Sequence, residues 1–265
     1  MQETIDSLFP IKLKLMMCKK IIVVTFMLVL SHNLYSKKFT VKRVEFEILF
    51  DKIPFTNAGY YEFKLLDEDY SSFYKAEKVL KYELNKYPEY VLKRYVKKTF
   101  YIVETAYNNK VNKYIDGIET ADHIILEFDV LDISYNRPAI HHEIFHSILR
   151  VTDSSTFIGK IQSINEHISS PEDDSDCLMY LSDYITTYHP NAEEDICEMF
   201  SYLMSSKDLR YDFKLINWIR LAKSRDRELR NKVQKLIEYT KLISIGVMDE
   251  DYYFNLMSKD AKNKI

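Results

Sequence analysis

Residues 140–148 read Ile-His-His-Glu-Ile-Phe-His-Ser-Ile, and the rest of the chain is organised around them. Within them His142, Glu143 and His146 form the pattern H-E-x-x-H. Because positions i and i+4 lie on the same face of an α-helix, both imidazoles can reach one metal ion. Glu143 then stands beside that ion, placed to act on a water held there. The pattern predicts a zinc-dependent peptidase with Glu143 as the catalytic base.

The flanking residues predict a helix over residues 138–151. Pro138 suits the first turn of a helix, where its missing N–H is no loss. Three isoleucines recur at helical spacing and predict an apolar stripe that packs against a sheet: Ile140, Ile144 and Ile148. The motif histidines lie on another edge of the helix, and His141 points about 100° away from His142. We therefore expect His141 to pack or to support a ligand, and not to bind the metal.

A zinc hydrolase needs a third protein ligand and an open position for water. The candidates are Glu194 and Glu198, spaced i and i+4 on a helix expected over residues 192–204. One carboxylate can bind the metal while the other hydrogen-bonds a ligand histidine. His189 is an alternative third ligand. Tyr188 stands where it could donate a hydrogen bond to the oxyanion of a tetrahedral intermediate, and a packing role is the equal alternative.

Composition and charge limit the other function classes. The chain has 265 residues, 46% hydrophobic and 14% aromatic, as in a folded protein with a sizeable core. The formal net charge of -3 provides no excess of basic residues for nucleic acid. The four glycines stand far apart, so they cannot build a glycine-rich phosphate loop. We therefore expect a peptide or protein substrate and no nucleic-acid partner.

The N-terminal residues have the layout of a secretory signal peptide. Two lysines precede an apolar run over residues 21–30, and Ser36 offers a small residue for cleavage. A bilayer span takes about 20 residues, so no stable membrane span is expected after cleavage. A start at Met16 or Met17 would make residues 1–15 an upstream extension. A buried strand or helix is the alternative for the apolar run. A signal peptide predicts a secreted or extracytoplasmic protein, in the periplasm or at the cell surface.

Beyond residue 36 the chain reads as one α+β domain over residues 37–265. Its N-terminal strand region covers residues 37–70, and residues 205–265 form a helical tail. Strands are expected over residues 39–50, 99–105 and 123–130, and a helix over residues 71–84. The strand around Ile124–Phe128 is expected at the sheet edge, where an extended peptide could pair with it.

Two cysteines, Cys177 and Cys197, lie beyond the predicted cleavage point. In an exported protein they could form a disulfide. Two ordinary buried thiols are an equally good interpretation, because spacing along the chain does not supply the geometry of a bridge.

Two segments resemble a known family. Residues 141–148, His-His-Glu-Ile-Phe-His-Ser-Ile, and residues 191–200, Asn-Ala-Glu-Glu-Asp-Ile-Cys-Glu-Met-Phe, resemble the zinc-binding metallopeptidases of exported bacterial proteins, many of them lipoproteins. More distantly, they are similar to the catalytic domain of anthrax lethal factor. The resemblance covers roughly residues 70–205. It departs at Cys197, where alanine is usual, and no cysteine follows the apolar run to carry a lipid anchor.

The resemblance implies a zincin-like fold of the gluzincin type, with a small mixed sheet packed on the motif helix and a helical C-terminal half. It implies that His142, His146 and Glu194 bind Zn2+, that Glu143 is the general base and that Glu198 supports a ligand histidine. The expected function is a secreted zinc metallopeptidase, and specifically an endopeptidase. The alternatives are a catalytically inactive zincin-fold binding protein and a zinc hydrolase of non-peptide amides.

Overall fold

The computed structural model of the protein describes most of the chain after the N-terminal segment. The described residues are 36–50, 60–66, 70–132, 137–166, 191–205 and 227–262. Residues 38–265 form one compact unit, and of the other unit, residues 1–37, only the last two are described. The residues of the expected signal peptide, together with Cys177, Tyr188 and His189, lie outside the described residues, so the expectations for them stay predictions. The predicted domain boundaries stay a prediction as well.

The described residues have an α+β fold with one mixed sheet, as expected. Its strands are β1 (Ser36–Val41), β2 (Val44–Leu49), β3 (Tyr61–Leu65), β4 (Thr99–Asn108), β5 (Lys113–Tyr114), β6 (Gly117–Glu119) and β7 (Ile124–Glu127). The helices are α1 (Tyr70–Leu84), α2 (Glu89–Tyr95), α3 (Phe128–Asp132), α4 (Pro138–Val151), α5 (Ser155–Glu166), α6 (Ala192–Ser205), α7 (Arg227–Ile243) and α8 (Glu250–Lys262).

Strands β1 and β2 form a hairpin, so the prediction of one continuous strand over residues 39–50 was wrong. Lys42 and Arg43 both have positive φ, 46° and 66°, and turn the chain between β1 and β2. Such turns usually carry Gly or Asn, and neither residue stands at positions 42 and 43, so this turn could not be predicted from the sequence. The predicted alternation still holds, because Phe46 and Ile48 are buried in the core.

The sheet is built around β4. Its first half pairs in parallel with β2 and β7, and its second half pairs with β3 and β5. Strand β6 runs antiparallel to β7 and ends the strand order β1-β2-β4-β7-β6. The prediction that the strand around Ile124–Phe128 is the edge strand was therefore wrong. β7 lies inside the sheet, the chain becomes helical at Phe128, and β6 is the edge strand on this side of the sheet.

Alternate residues of the central strands face two apolar clusters. Phe100 and Ile102 of β4 belong to the main core, which the helices share. Tyr101 and Val103 face the other side of the sheet and form a smaller cluster with Ile125. This alternation is the period of two that a strand buried on both faces requires.

The motif helix α4 begins at Pro138 and ends at Val151, as predicted. The three isoleucines of its predicted stripe are fully buried: Ile140, Ile144 and Ile148. Helix α4 packs against β6 on one side and α6 on another. Phe145 of α4 stacks on Phe200 of α6, with ring centroids 4.1 Å apart. This contact brings the H-E-x-x-H helix and the glutamate helix face to face.

The described C-terminal helices belong to the same core. Lys232 of α7 and Asp195 of α6 form a fully buried ion pair, with Nζ and Oδ2 2.5 Å apart. Tyr239 of α7 stacks on Phe157 of α5, at a centroid distance of 4.2 Å. Over the described parts of the chain, the structure shows no helix with the length and apolarity needed to cross a bilayer.

Candidate metal centre

His142, His146 and Glu194 converge on one point between α4 and α6. The Nε2 atoms of the two histidines lie 3.1 Å apart. Glu194 Oε2 is 3.2 Å from His142 Nε2, and Glu194 Oε1 is 3.6 Å from His146 Nε2. Within the described residues, this is the group of His, Cys, Asp and Glu side chains whose ligand atoms lie close enough to share a metal ion.

These distances fit a zinc ion. With zinc–ligand bonds of about 2.0–2.1 Å, two ligand atoms of a tetrahedral site lie about 3.3 Å apart. Burial alone would lower the pKa of His142, but its hydrogen bonds with Glu194 and Glu198 raise that pKa well above its ordinary value. The surrounding carboxylates therefore favour a positive charge here, and two imidazoles with one carboxylate are ligands that zinc takes.

Each histidine also has a carboxylate of α6 next to its Nδ1, the ring nitrogen that points away from the cluster. His142 Nδ1 lies 3.4 Å from Glu198 Oε2. His146 Nδ1 lies 3.1 Å from Glu193 Oε1. A carboxylate in this place fixes the ring orientation and makes the opposite nitrogen a better donor to a metal. Glu198, a site residue expected from the sequence, therefore lies next to His142, and Glu193, which was not expected, lies next to His146.

Glu143 lies beside the cluster and is buried, with 7% of its surface exposed. Burial raises the pKa of its carboxyl, although the charges of His142 and His146 act in the opposite direction. Glu143 packs directly on the edge strand at Gly117. A β-carbon at Gly117 would lie only 2.8 Å from Glu143 Cγ. The absence of a side chain at Gly117 therefore makes room for the candidate base.

A cleft of about 740 Å3 runs past these residues. Among its lining residues are Tyr61, Lys113, Gly117, Glu143, Arg150 and Tyr202. Strand β6 borders the cleft, and no other described strand pairs with its outer side. Its backbone can therefore offer hydrogen bonds to an extended chain lying in the cleft.

Tyr61 brings a phenol from β3 into this cleft. Burial and the negative charges of Glu143 and Glu194 raise the pKa of Tyr61, so its hydroxyl stays a hydrogen-bond donor at neutral pH. The sequence offered no basis for choosing Tyr61, since the chain has 21 tyrosines and this one lies far from the motif.

The edge strand is fastened to α4 by an ion pair. Arg150 donates two hydrogen bonds to Glu119 Oε2, from Nη2 at 2.6 Å and from Nε at 2.8 Å. The Glu119 side chain is 1% exposed, and the Arg150 side chain is 53% exposed. Ser147 Oγ also donates to Glu119, at 3.4 Å. These contacts join the end of β6 to the last turns of the motif helix.

His141 points away from the cluster into a buried polar network, in line with its expected packing role. Its Nδ1 lies 2.6 Å from the hydroxyl of Tyr87, and its Nε2 lies 2.9 Å from Glu83 Oε2. Lys86 pairs with the same carboxylate oxygen at 2.6 Å and donates to the carbonyl of Met204. The network therefore joins α4 to α1 and to the C-terminal end of α6.

Cys197 is a buried residue of α6 with no disulfide partner among the described residues, and the possible bridge to Cys177 stays a prediction. Burial raises its pKa, although the charge and hydrogen bond of His146 lower it. The thiol therefore lies within hydrogen-bond reach of one of the candidate ligands.

Of the predicted site residues, the structure brings together His142, Glu143, His146, Glu194 and Glu198. Sequence reasoning missed Glu193, because adjacent glutamates at a helix start are common and only the packing of α6 on α4 shows where this one points. Comparison with protein-family models, curated proteins and solved structures finds no match to this chain.

Proposed function

We propose that this protein is a metal-dependent hydrolase, and that it is a zinc metallopeptidase with a zincin-like fold of the gluzincin type. The observation that carries the proposal is the convergence of His142, His146 and Glu194 at distances suited to zinc, with Glu143 buried beside them. His142, His146 and Glu194 would hold Zn2+. When bound there, the ion would polarise a carbonyl group and make water a stronger nucleophile.

The residues of the chain account for the remaining steps. Glu143 takes the proton of the attacking water and passes it to the leaving amine. Glu198 and Glu193 keep the two imidazoles aimed at the centre. The outer edge of β6 pairs with an extended peptide and lays its scissile bond beside Glu143. An edge strand next to the candidate base favours a peptide substrate over a small amide. A peptide paired along this strand would extend on both sides of its scissile bond, which favours an endopeptidase.

We further propose that the protein acts outside the cytoplasm. The support for this is the sequence layout of residues 1–36, with a basic start, an apolar run and a small residue at its end. Tyr188 and Tyr61 are the two candidates for the tyrosine that donates a hydrogen bond to the oxyanion of the tetrahedral intermediate.

The test measures zinc content and peptide cleavage on the same purified protein. Wild type should bind about one zinc ion per chain and cleave a mixed peptide library. Glu143→Gln should retain zinc and lose about 10²- to 10⁴-fold in rate. His142→Ala and His146→Ala should each lose zinc binding and peptide cleavage. His123→Ala, which removes an imidazole elsewhere, should keep both properties. Zinc binding without Glu143-dependent cleavage would favour a binding protein, and no zinc at the two histidines would refute the proposal.

A further inference from the structure

Two buried charges lie at the end of α1, in contact with both helices of the candidate metal centre. Glu83 belongs to the last turn of α1, and Lys86 lies in the turn that follows. The Glu83 side chain is fully buried, and Lys86 Nζ lies 2.6 Å from Glu83 Oε2. The Lys86 N–H donates to the Glu83 carbonyl at 3.1 Å, and Lys42, between β1 and β2, donates from Nζ to the Asn85 carbonyl at 2.7 Å. Hydrogen bonds within the turn and from the sheet therefore fix the backbone that carries this ion pair.

Glu83 holds the first turn of α4. Its Oε2 lies 2.9 Å from His141 Nε2, and its Oε1 lies 3.8 Å from Nη1 of Arg137, the residue before the helix. A carboxylate can only accept hydrogen bonds, so His141 donates from Nε2 and accepts at Nδ1 from the Tyr87 hydroxyl, 2.6 Å away. A negative charge near the N-terminus of a helix is also favoured by the helix dipole. Glu83 thus binds two residues at the start of the helix that carries His142.

Lys86 holds the last turn of α6. Its Nζ donates to the carbonyl of Met204 at 3.0 Å, in a buried contact. The last four carbonyl groups of a helix have no partner within the helix, and a positive charge is favoured beside them. A single ammonium group therefore binds the carbonyl at the end of α6 and the carboxylate that holds α4.

These contacts lie next to the candidate ligands. His146 is near Glu193, and His142 is near Glu198, further along α6, so α4 and α6 run in opposite directions. His141 directly precedes His142, so a shift at the held end of α4 moves a ligand. A zinc site requires bond lengths within about 0.2 Å of their usual values, so a small change in the separation of the two helices would disturb it.

We propose that Glu83 and Lys86 form a clamp that sets the separation of α4 and α6 and so positions the ligands that each helix contributes. His142 and His146 come from α4, and Glu194 comes from α6. The clamp holds both helices before a metal ion binds, which reduces the cost of ordering the site. This inference rests on the proposed zinc site. It makes Glu83 and Lys86 positioning residues and gives them no part in the chemical step.

The test uses Lys86→Met, which cuts the contact with α6 and leaves His141 bound to Glu83. Zinc affinity of the metal-free full chain is measured by competition with a chromophoric chelator, and it should fall about tenfold, as for other residues that support metal ligands. Co2+ bound in place of zinc supplies a second measurement. Its visible absorption bands depend on ligand geometry, and they should shift or lose intensity in Lys86→Met.

A control variant separates positioning from loss of stability. Val103→Ala shortens a fully buried side chain on the opposite face of the sheet and should lower stability while leaving the zinc affinity and the cobalt bands unchanged. Urea unfolding of each metal-free protein shows how much stability each has lost. If Lys86→Met does not fold because Glu83 is left buried and unpaired, Lys86→Met combined with Glu83→Gln removes both charges and takes its place.

Two results would overturn the inference. A Lys86→Met protein with zinc affinity within about threefold of wild type and unchanged cobalt bands would show that the clamp only stabilises the fold. An equal loss of affinity in Val103→Ala would show that lower stability alone weakens the site. The proposed function fails in a different way, through a wild-type chain that binds no zinc at His142 and His146, and this inference would fall with it.

Discussion

Gly117 offers a sharp test of where the catalytic base lies. An alanine at this position would place its β-carbon 2.8 Å from Glu143 Cγ. Carbon atoms in contact normally lie about 3.5–4.0 Å apart, so Glu143 would have to move by roughly 1 Å. The new methyl group cannot move away instead, because the backbone oxygen of Ile125 and Leu126 Cδ2 each lie 3.2 Å from it.

A displacement of about 1 Å in a catalytic group costs on the order of 10²-fold in rate, or about 2.7 kcal/mol. For Gly117→Ala we therefore expect kcat to fall by about 10- to 100-fold. Zinc content should not change, because Gly117 lies against Glu143 and not against the three ligands. The measurements are steady-state cleavage of a peptide identified from the library, together with zinc content and thermal melting.

Gly159→Ala is the matched control, since a β-carbon there meets nothing within 4 Å. Gly159 lies inside α5, where alanine is favoured over glycine by about 0.5–1 kcal/mol. This variant should keep full activity and melt at a slightly higher temperature. A folded Gly117→Ala protein that cleaves as fast as wild type would refute the reasoning, because Glu143 could then shift without consequence.

Two further predictions concern stability. Lys232→Met leaves Asp195 buried without its cation and should lower the free energy of unfolding by about 3–5 kcal/mol in urea, and Asp195→Asn in the same chain should restore much of the loss. Burial alone would raise the pKa of Glu83, but its hydrogen bond with His141 and the charge of Lys86 lower it from 4.5 to about 2. Because the pKa is lower in the folded state, this contribution is complete above pH 4.5 and is lost as the pH falls towards 2, by roughly 3 kcal/mol in total. Urea unfolding midpoints between pH 5 and pH 3 should fall less steeply in Glu83→Gln than in wild type, and equal slopes would contradict this assignment.

The parts of the fold that the sequence predicted well are local. Helix α4 was predicted to its end residues, because Pro138 marks its start and its isoleucines repeat at helical spacing. The helix over residues 192–204 was predicted within one residue, because Pro190 precedes it and Ile196, Phe200 and Leu203 recur at helical spacing. In both cases the information lies within about four turns of chain, where side-chain periodicity and the residues near the helix start are decisive.

The errors arose where pairing between distant residues decides the structure. Strand β6 has three residues and follows Asp116, so the sequence reads as a turn there, yet β6 pairs with β7 from Gly117 to Glu119. A strand this short has no periodicity to detect, and only its partner makes it a strand. The edge strand could not be located without knowledge of that pairing, and neither could the cleft that it borders.

The packing of the C-terminal helices against α6 could not be predicted from the sequence either. The pattern of apolar residues predicted helices in the tail, and α7 and α8 are present. It gave no sign that Lys232 would be buried against Asp195, one residue from the candidate ligand Glu194. A lysine in a helical sequence is usually solvent-exposed, and its burial here depends on a partner 37 residues away.

Helix geometry explains why the three glutamates of α6 take different places around two histidines. Successive residues of a helix turn by about 100°, so Glu193, Glu194 and Glu198 point at roughly 0°, 100° and 140°. Glu194 is the middle one and reaches the converging Nε2 atoms, while its neighbours reach outwards to Nδ1 of His146 and of His142. Three carboxylates this close repel one another, and the helix dipole reduces that cost for Glu193 and Glu194, which lie in the first turn of α6. The spacing E-E-x-x-x-E on a helix that faces H-E-x-x-H thus supplies one carboxylate between the two imidazoles and one behind each of them.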